Sequence, residues 1–374
     1  MTESEMMSTL MDQIQKSIKN LKQLNLMVVG KTGVGKSTLI NSVFHENLVE
    51  TGVGRPVTQG LQEISKEDFP LHLWDTQGFE IGRGNYADIL KNITDEIAKR
   101  NKELKLDQRI HCIWYCISTP SHRVEDAEIE AIRGFIKTNV PVIIVLTQSF
   151  SKTQAKEMQN HLKHDYPDLP VSQIVPVLAQ DYEFDEDRVV LASGLDRLVE
   201  VMEQVLPEEL RDSLENAQKA SLKSKRQKAY AVVVSSAAAA AAEAAVPVPL
   251  ADSAMMIPTQ MTMLGSITAL FSTSVTKGML RGLVSTVIGS MGATVAGKTI
   301  FANALKLIPG LGSVAGGAIS ATTASALTVA VGTGYVELMS AVYTGEIKKE
   351  VLGTEEGKKL FRHYVKNYKK YKPE

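Results

Sequence analysis

Gly30-Lys31-Thr32-Gly33-Val34-Gly35-Lys36-Ser37 follows an apolar run, Leu24-Asn25-Leu26-Met27-Val28-Val29, and opens a stretch of helical spacing over 36–44. This is GxxxxGK[ST] with a strand before it and a helix after it, the context the motif requires. Glycines let such a loop wrap until several backbone N–H groups face inward, and the following helix adds its positive N-terminal end. That arrangement suits a string of phosphates. The residues expected to hold them are Gly30, Gly33, Val34, Gly35, Lys36, Ser37 and Thr38, with Lys36 between the β- and γ-phosphates and Ser37 on Mg²⁺.

Working outward, apolar strands are expected at 24–29, 71–75, 110–118, 142–147 and 174–178, and helices near 36–44, 86–102, 124–138, 152–165 and 194–206. Alternation at that spacing means crossover units and a mainly parallel sheet covered on both faces. The second expected strand ends Trp74-Asp75-Thr76-Gln77-Gly78, a DxxG whose Asp75 lies 39 residues after Lys36. Asp75 is placed to reach Mg²⁺ through water, and the Gly78 amide to contact the γ-phosphate. Between the two motifs, Thr51-Gly52-Val53-Gly54-Arg55-Pro56-Val57-Thr58 reads as a loop from its Gly and Pro. Thr58 is the candidate second hydroxyl for Mg²⁺. A loop held by one hydroxyl–metal bond and one amide–phosphate bond relaxes when the γ-phosphate leaves.

The order of P-loop, switch threonine and DxxG resembles the Era-like branch of the translation-factor-related GTPases, over roughly residues 23–206. The resemblance implies a six-stranded, mostly parallel sheet whose second strand, near 61–66, runs antiparallel at one side. It carries over onto Gly30, Lys36, Ser37, Thr58, Asp75 and Gly78, and implies GTP/GDP with Mg²⁺. It departs at base recognition. The family ends its fifth strand in NKxD, where Asp accepts two hydrogen bonds from guanine. Here Thr147 and Gln148 stand at the Asn and Lys positions and Phe150 at the Asp position. A phenyl ring accepts no such bonds, so GTP is implied by the resemblance while ATP or mixed use stays open. Val177-Leu178-Ala179 resembles the last base-contacting loop, with the Ala179 amide near the guanine oxygen.

Phosphoryl transfer asks for positioning, Mg²⁺ and charge compensation rather than covalent work. The water-orienting position after DxxG is Phe79, which has no donor. Arg55, three residues before Thr58, has the spacing of the cis arginine finger of heterotrimeric G-protein α-subunits, although an exposed loop side chain is the favoured reading. Slow intrinsic hydrolysis is expected, faster when a partner or second copy completes the site. His111, Cys112 and Cys116 fall on a core strand and do not read as metal ligands.

Composition divides the chain sharply. Its 374 residues carry 41 Lys+Arg against 42 Asp+Glu, a net charge of −1 that argues against bulk nucleic-acid binding. Two cysteines exclude a disulfide scaffold, and an acidic start, MTESEMMSTL, does not read as a secretion signal. Between 229 and 345 only seven side chains are charged. The expected organisation is an amphipathic helix at 1–22 (Met7, Leu10, Met11, Ile14 and Ile18 on one face), a P-loop domain at 23–206, a charged helical connector at 207–228, an all-α domain of helical hairpins at 229–345 and a basic tail at 346–374.

The uncharged block has stretches at 253–276, 283–297 and 307–336 to test against a bilayer, which needs about 20 apolar residues per helix. They are rich in Ser, Thr and Gly, hence marginal inserters. Gly312 and Gly316 have GxxxG spacing, which permits close helix contact in lipid or in a soluble bundle. Val246-Pro247-Val248-Pro249-Leu250-Ala251-Asp252 and Leu307-Ile308-Pro309-Gly310-Leu311-Gly312 resemble the uncharacterised Ala/Gly-rich hydrophobic domain fused behind Era-like GTPases, over about 226–345, which implies no established activity. Lys219, Lys223, Lys225, Arg226 and Lys228 precede the block, and residues 347–374 hold nine Lys/Arg against four acids. Such flanks suit an anionic membrane surface at the cytosolic face, met peripherally or by reversible insertion; a soluble bundle is the other reading. The function expected is a GTP switch governing the C-terminal domain, against a membrane-embedded scaffold regulated by nucleotide or a P-loop ATPase.

Overall fold

The computed structural model describes residues 3–44, 53–58, 61–65, 69–76, 86–103, 105–121, 123–169, 173–185, 188–245, 256–271, 282, 285–287 and 320–371. It divides into two compact units, one formed by residues 21–221 and the other by 1–20 with 222–374.

The first unit is built on β1 (Leu24–Val29), β2 (Val53–Thr58), β3 (Leu61–Ser65), β4 (Leu71–Asp75), β5 (Cys112–Ser118), β6 (Val142–Thr147) and β7 (Ile174–Pro176). Their order across the sheet is β2-β3-β4-β1-β5-β6-β7, with β4, β1, β5, β6 and β7 parallel and β3 antiparallel. The six strands from β3 to β7 are the expected mostly parallel sheet, including the antiparallel strand near 61–66. The seventh corrects the sequence reading: 53–58 is not a loop but an edge strand paired with β3. Pro56 misled, yet an edge strand leaves N–H positions without a ladder partner, so proline is tolerated there.

Every residue of β1 and β6 is buried, as strands covered on both faces require. One face lies under α2 (Lys36–Val43), with Leu39, Ile40 and Val43 against Trp114 and Val145. On the other face α3 (Tyr86–Glu103) contributes Ile93 and Ile97, α4 (Asp126–Ile136) Ile129 and Phe135, and α5 (Lys152–Asp165) Met158 and Leu162. A short hairpin that sequence reasoning missed, β8 (Tyr182–Asp185) with β9 (Arg188–Val190), leaves the sheet after β7. Helices α6 (Leu195–Val205) and α7 (Glu208–Ala217) complete the unit.

His111 is engaged inside this core. Its Nδ1 accepts from the Asn25 amide at 2.9 Å, and its Nε2 lies 2.6 Å from the Leu106 carbonyl. Cys112 and Cys116 are free and buried, and burial pushes the Cys116 thiol up to about 12.

The second unit contains α1 (Glu3–Lys19), α8 (Leu222–Ala244), α9 (Met256–Phe271), α10 (Ala321–Thr344) and α11 (Glu355–Lys366). Leu10 and Ile14, from the expected face of α1, are 1% and 0% exposed and share a core with Leu264, Ile267 and Tyr335. The helix α8 runs straight through position 229, where composition changes but backbone does not. Two of the basic residues before the block are engaged internally. Lys225 is fully buried and donates to the Leu270 carbonyl at 2.6 Å. Arg226 forms a bidentate pair with Glu337, at 2.8 and 3.0 Å, and the Tyr230 hydroxyl donates to the same carboxylate. Phe361 and Val365 of the tail are likewise core residues.

Among the described residues one helix, α10, is long and apolar enough to cross a membrane by length and composition, and 83% of its apolar window is buried in the protein. Residues 246–252, Pro309, Gly312 and Gly316 lie outside the described residues, as do most of 283–297 and all of 307–319. Small residues permit close contact at other positions. A Cβ on Gly334 would lie 2.7 Å from the Val365 side chain and 2.9 Å from its backbone nitrogen. Gly334→Ala should therefore destabilise this unit by about 1–3 kcal/mol. The measurement is thermal unfolding of the full chain; an unchanged midpoint would mean α11 does not seat on α10 as seen.

Candidate functional site: a phosphate loop at the ends of the parallel strands

The P-loop leaves β1 at Gly30, whose φ of 150° a side chain rarely adopts. Space forbids one as well: a Cβ would come within 2.5 Å of the Cys116 carbonyl on β5. The loop ends at Gly35, left-handed at φ 92°, the N-cap of α2. No side chain caps α2 at its start and its first turn carries no acid, so its leading N–H groups face the loop without a side-chain acceptor. The Lys36 ammonium curls over the loop and donates to the carbonyls of Gly30 at 2.8 Å and Lys31 at 3.0 Å. A cation held over carbonyls inside a cradle of amides is what an incoming polyphosphate needs.

Neighbouring strand ends brace the loop. Thr147, buried at the end of β6, donates to the Val34 carbonyl at 2.6 Å. Gln148, at φ 54°, donates through Nε2 to the Gly33 carbonyl at 3.2 Å and accepts from Ser118 Oγ at 2.7 Å. Sequence reading gave Thr147 and Gln148 to nucleotide contact; in the structure both side chains bond carbonyls of the loop. Outside the loop, Lys31 pairs with Glu125 at 2.7 Å and Glu128 at 3.4 Å, the two acids of the capping box on α4. That clamp went unnoticed in the sequence, although Glu125-x-x-Glu128 before an apolar run was its signal.

Asp75 ends β4 level with Val28 of β1. Burial lifts its carboxyl above the ordinary value, against the opposing pull of the Lys36 charge and the Thr76 amide. Next to it, the buried Thr76 hydroxyl finds no partner among the described residues. A half-desolvated carboxylate and an orphaned hydroxyl beside a lysine-bearing amide cradle fit a hydrated divalent cation escorting phosphates. Ser37 and Thr38 open α2 as expected. Ala179 follows the Leu178–Ser193 bridge, and the Ser149 amide donates to the Val177 carbonyl at 3.1 Å, so the loops after β6 and β7 adjoin.

The backbone at Arg55 and Thr58 belongs to β2, separated from β1 by β3 and β4, a strand-to-strand span of roughly 14 Å at the usual spacing. Gly78 and Phe79 lie outside the described residues.

A parallel sheet with this loop at its carboxyl ends and a carboxylate on the adjacent strand defines the P-loop GTPase fold. Within that class, the Septin family model matches residues 20–238, more than half of the chain, and the chain belongs to that family. A domain of unknown function, DUF697, matches residues 209–363. Septin-2 of Bos taurus is 30% identical over 196 residues, 46% of this chain and 54% of that protein. Septin-1 of Drosophila melanogaster is 26% identical, over 46% of this chain and 54% of its own length. The chain thus spans about half the length of the curated relatives it matches. Among solved structures, Aquifex aeolicus Era bound to GDP·AlF4⁻ is 19% identical over 56% of this chain and 68% of its own, with a TM-score of 0.33, too slight a likeness to speak to function.

The raised Asp75 value has a direct consequence. Below the unfolded carboxylate's value, near 3.9, both states are protonated and the group is neutral to stability. Above the folded value, keeping a buried charge costs the folded state. Asp75→Asn should therefore raise the melting midpoint of nucleotide-free protein at pH 7 by about 2–4 °C, and the gain should fade as pH drops toward 4. Unfolding scans across pH check this; a lowered midpoint would contradict it.

Proposed function

We propose that this chain is a GTP-binding switch that slowly hydrolyses GTP to GDP and phosphate with Mg²⁺, its nucleotide state controlling the C-terminal helical unit. The observation that carries the reading is the Lys36 ammonium poised over the carbonyls of Gly30 and Lys31 in a loop that Gly30 alone can form. Membership of the Septin family supports guanine nucleotide, and the order of P-loop, Thr58 and DxxG supports kinship with the Era-like branch.

Each residue has a defined task. Lys36 exchanges its carbonyl partners for β- and γ-phosphate oxygens, and the uncapped N–H groups of α2 hold the phosphate tail. Ser37 and Asp75 hold Mg²⁺, which when bound neutralises charge on the phosphoryl oxygens, with Thr58 a further ligand once β2 rearranges. Such a rearrangement of an edge strand is the two-state element a switch requires. With Phe79 at the water-orienting position, hydrolysis is slow until a partner protein or second copy completes the site. Arg55 compensates charge only if β2 moves. No nucleic acid is involved.

The C-terminal unit is proposed to meet an anionic membrane surface peripherally, at the cytosolic face, through the tail's nine Lys/Arg. The deep burial of α10 favours that over stable insertion as a scaffold. In equilibrium binding with Mg²⁺, Lys36→Ala should weaken GTP about 100-fold or more, because two charge-assisted bonds are lost. Equal affinity in the variant would end the proposal. Flotation with phosphatidylserine vesicles should show GTP-dependent partition; constant partition with and without nucleotide would favour the integral scaffold.

A further inference from the structure

The loop that follows β6 carries something other than the missing carboxylate. Gln148 turns left-handed, its side chain touches the Gly33 carbonyl, and the Phe150 amide bonds back to the Gln148 carbonyl at 2.8 Å. Phe150 is thereby fixed two residues from a direct contact with the P-loop. The hairpin β8–β9 is tied at its base by reciprocal 2.9 Å bonds between Leu178 and Ser193, in the loop adjoining Ser149.

Tyr182 and Phe184 alternate onto one face of that hairpin and close on Phe150. The Phe150 and Tyr182 rings are 4.5 Å apart at 51°, Phe150 and Phe184 5.8 Å at 77°, and Tyr182 and Phe184 4.8 Å at 74°. These are tilted and edge-on contacts, so the three rings form a faceted surface rather than a stack. They are not sealed in a core: Tyr182 is 44% and Phe184 47% exposed.

Carboxylates nearby do not replace the missing Asp. Asp181 Oδ1 accepts from the Ala192 amide at 2.7 Å, which holds the hairpin's return strand. Glu183 falls between Tyr182 and Phe184 and so belongs to the opposite face of β8.

Resting on the phosphate reading above, we infer that Phe150, Tyr182 and Phe184 form the base-binding face of the nucleotide site, holding a purine ring by stacking in place of paired hydrogen bonds. Ligands of open α/β sheets lie across the carboxyl ends of the strands, and a base attached to phosphates at Gly30–Ser37 falls over the loops after β6 and β7. The occupant is a purine rather than a protein segment because Phe150, the ring that Tyr182 and Phe184 close on, follows two residues after Gln148, whose side chain bonds the Gly33 carbonyl of the phosphate loop. Every base offers a π-face, so stacking alone is tolerant of its substituents. A site that hydrogen-bonds a ring edge discriminates by roughly 10⁴–10⁵, and an apolar one by about 10² or less. Guanine is thus accepted, and adenine only weakly refused.

The test uses the full chain, Mg²⁺ and 2-aminopurine riboside triphosphate, whose emission is quenched by stacking, with GTP, ATP and inorganic tripolyphosphate as competitors. GTP and ATP should bind within about 100-fold of each other. Tyr182→Ala and Phe184→Ala should each weaken both nucleotides by roughly 5- to 150-fold and reduce the quench, leaving tripolyphosphate unchanged, which also shows the variants folded. Tyr182→Phe should restore wild-type behaviour, and Phe150→Asp should raise the GTP-to-ATP preference at least tenfold. Unaltered nucleotide affinity and quench in the Tyr182→Ala/Phe184→Ala double variant would overturn the inference, as would a change confined to oligomeric state. If tripolyphosphate fails to bind the wild type, or binds Lys36→Ala equally, the phosphate reading itself falls and takes this inference with it.

Discussion

One close approach governs the α/β unit: the backbone at Gly30 passes so near the Cys116 carbonyl that a methyl group would not fit. Because β1 and β5 are adjacent parallel strands, that approach sets where β1 stops and in which direction the loop departs. The rest of the cradle follows. Thr147 and Gln148 hold the loop's carbonyls from β6, Lys31 anchors its outer wall to α4, and Lys36 closes over its mouth. None of these bonds is strong alone in water, but four elements fix one loop, so the amides need little reorganisation to meet phosphate.

The same economy of contacts explains the helical unit. Ala- and Gly-rich helices have few large side chains to bury, so they gain packing by approaching closely. Gly334 lets α11 lie against α10, and Gly332 does the same toward Val233 and Met263. Several polar groups inside are engaged within the unit: Glu337 by Arg226 and Tyr230, the Gln260 amide nitrogen by Thr328, Thr268 by Tyr335. Such bonds matter mainly because breaking one leaves a buried charge or hydroxyl alone.

Much of this was legible beforehand, and the remainder was hidden for identifiable reasons. The P-loop and Asp75 announced themselves because their chemistry demands fixed residues at fixed spacing, and the fully buried strands because nothing else is so apolar over six residues. Strand β2 was obscured by Gly54 and Pro56, whose usual meaning is suspended at a sheet edge. The hairpin β8–β9 is short and its charged residues masked its alternation. The bonds that Thr147 and Gln148 make to the P-loop were not legible, because a motif position tells which loop a residue belongs to, not which neighbour claims its hydrogen bonds. Lys225 and Arg226 looked like solvent-facing charges, since their partners Leu270 and Glu337 lie 45 and 111 residues away.

That α1 shares its core with α9 and α10 has a topological consequence. Residues 21–221 are an insertion within the helical unit, entered and left by covalent links at 20–21 and 221–222. Detaching the α/β body takes two scissions of the backbone, and a single one leaves both halves attached.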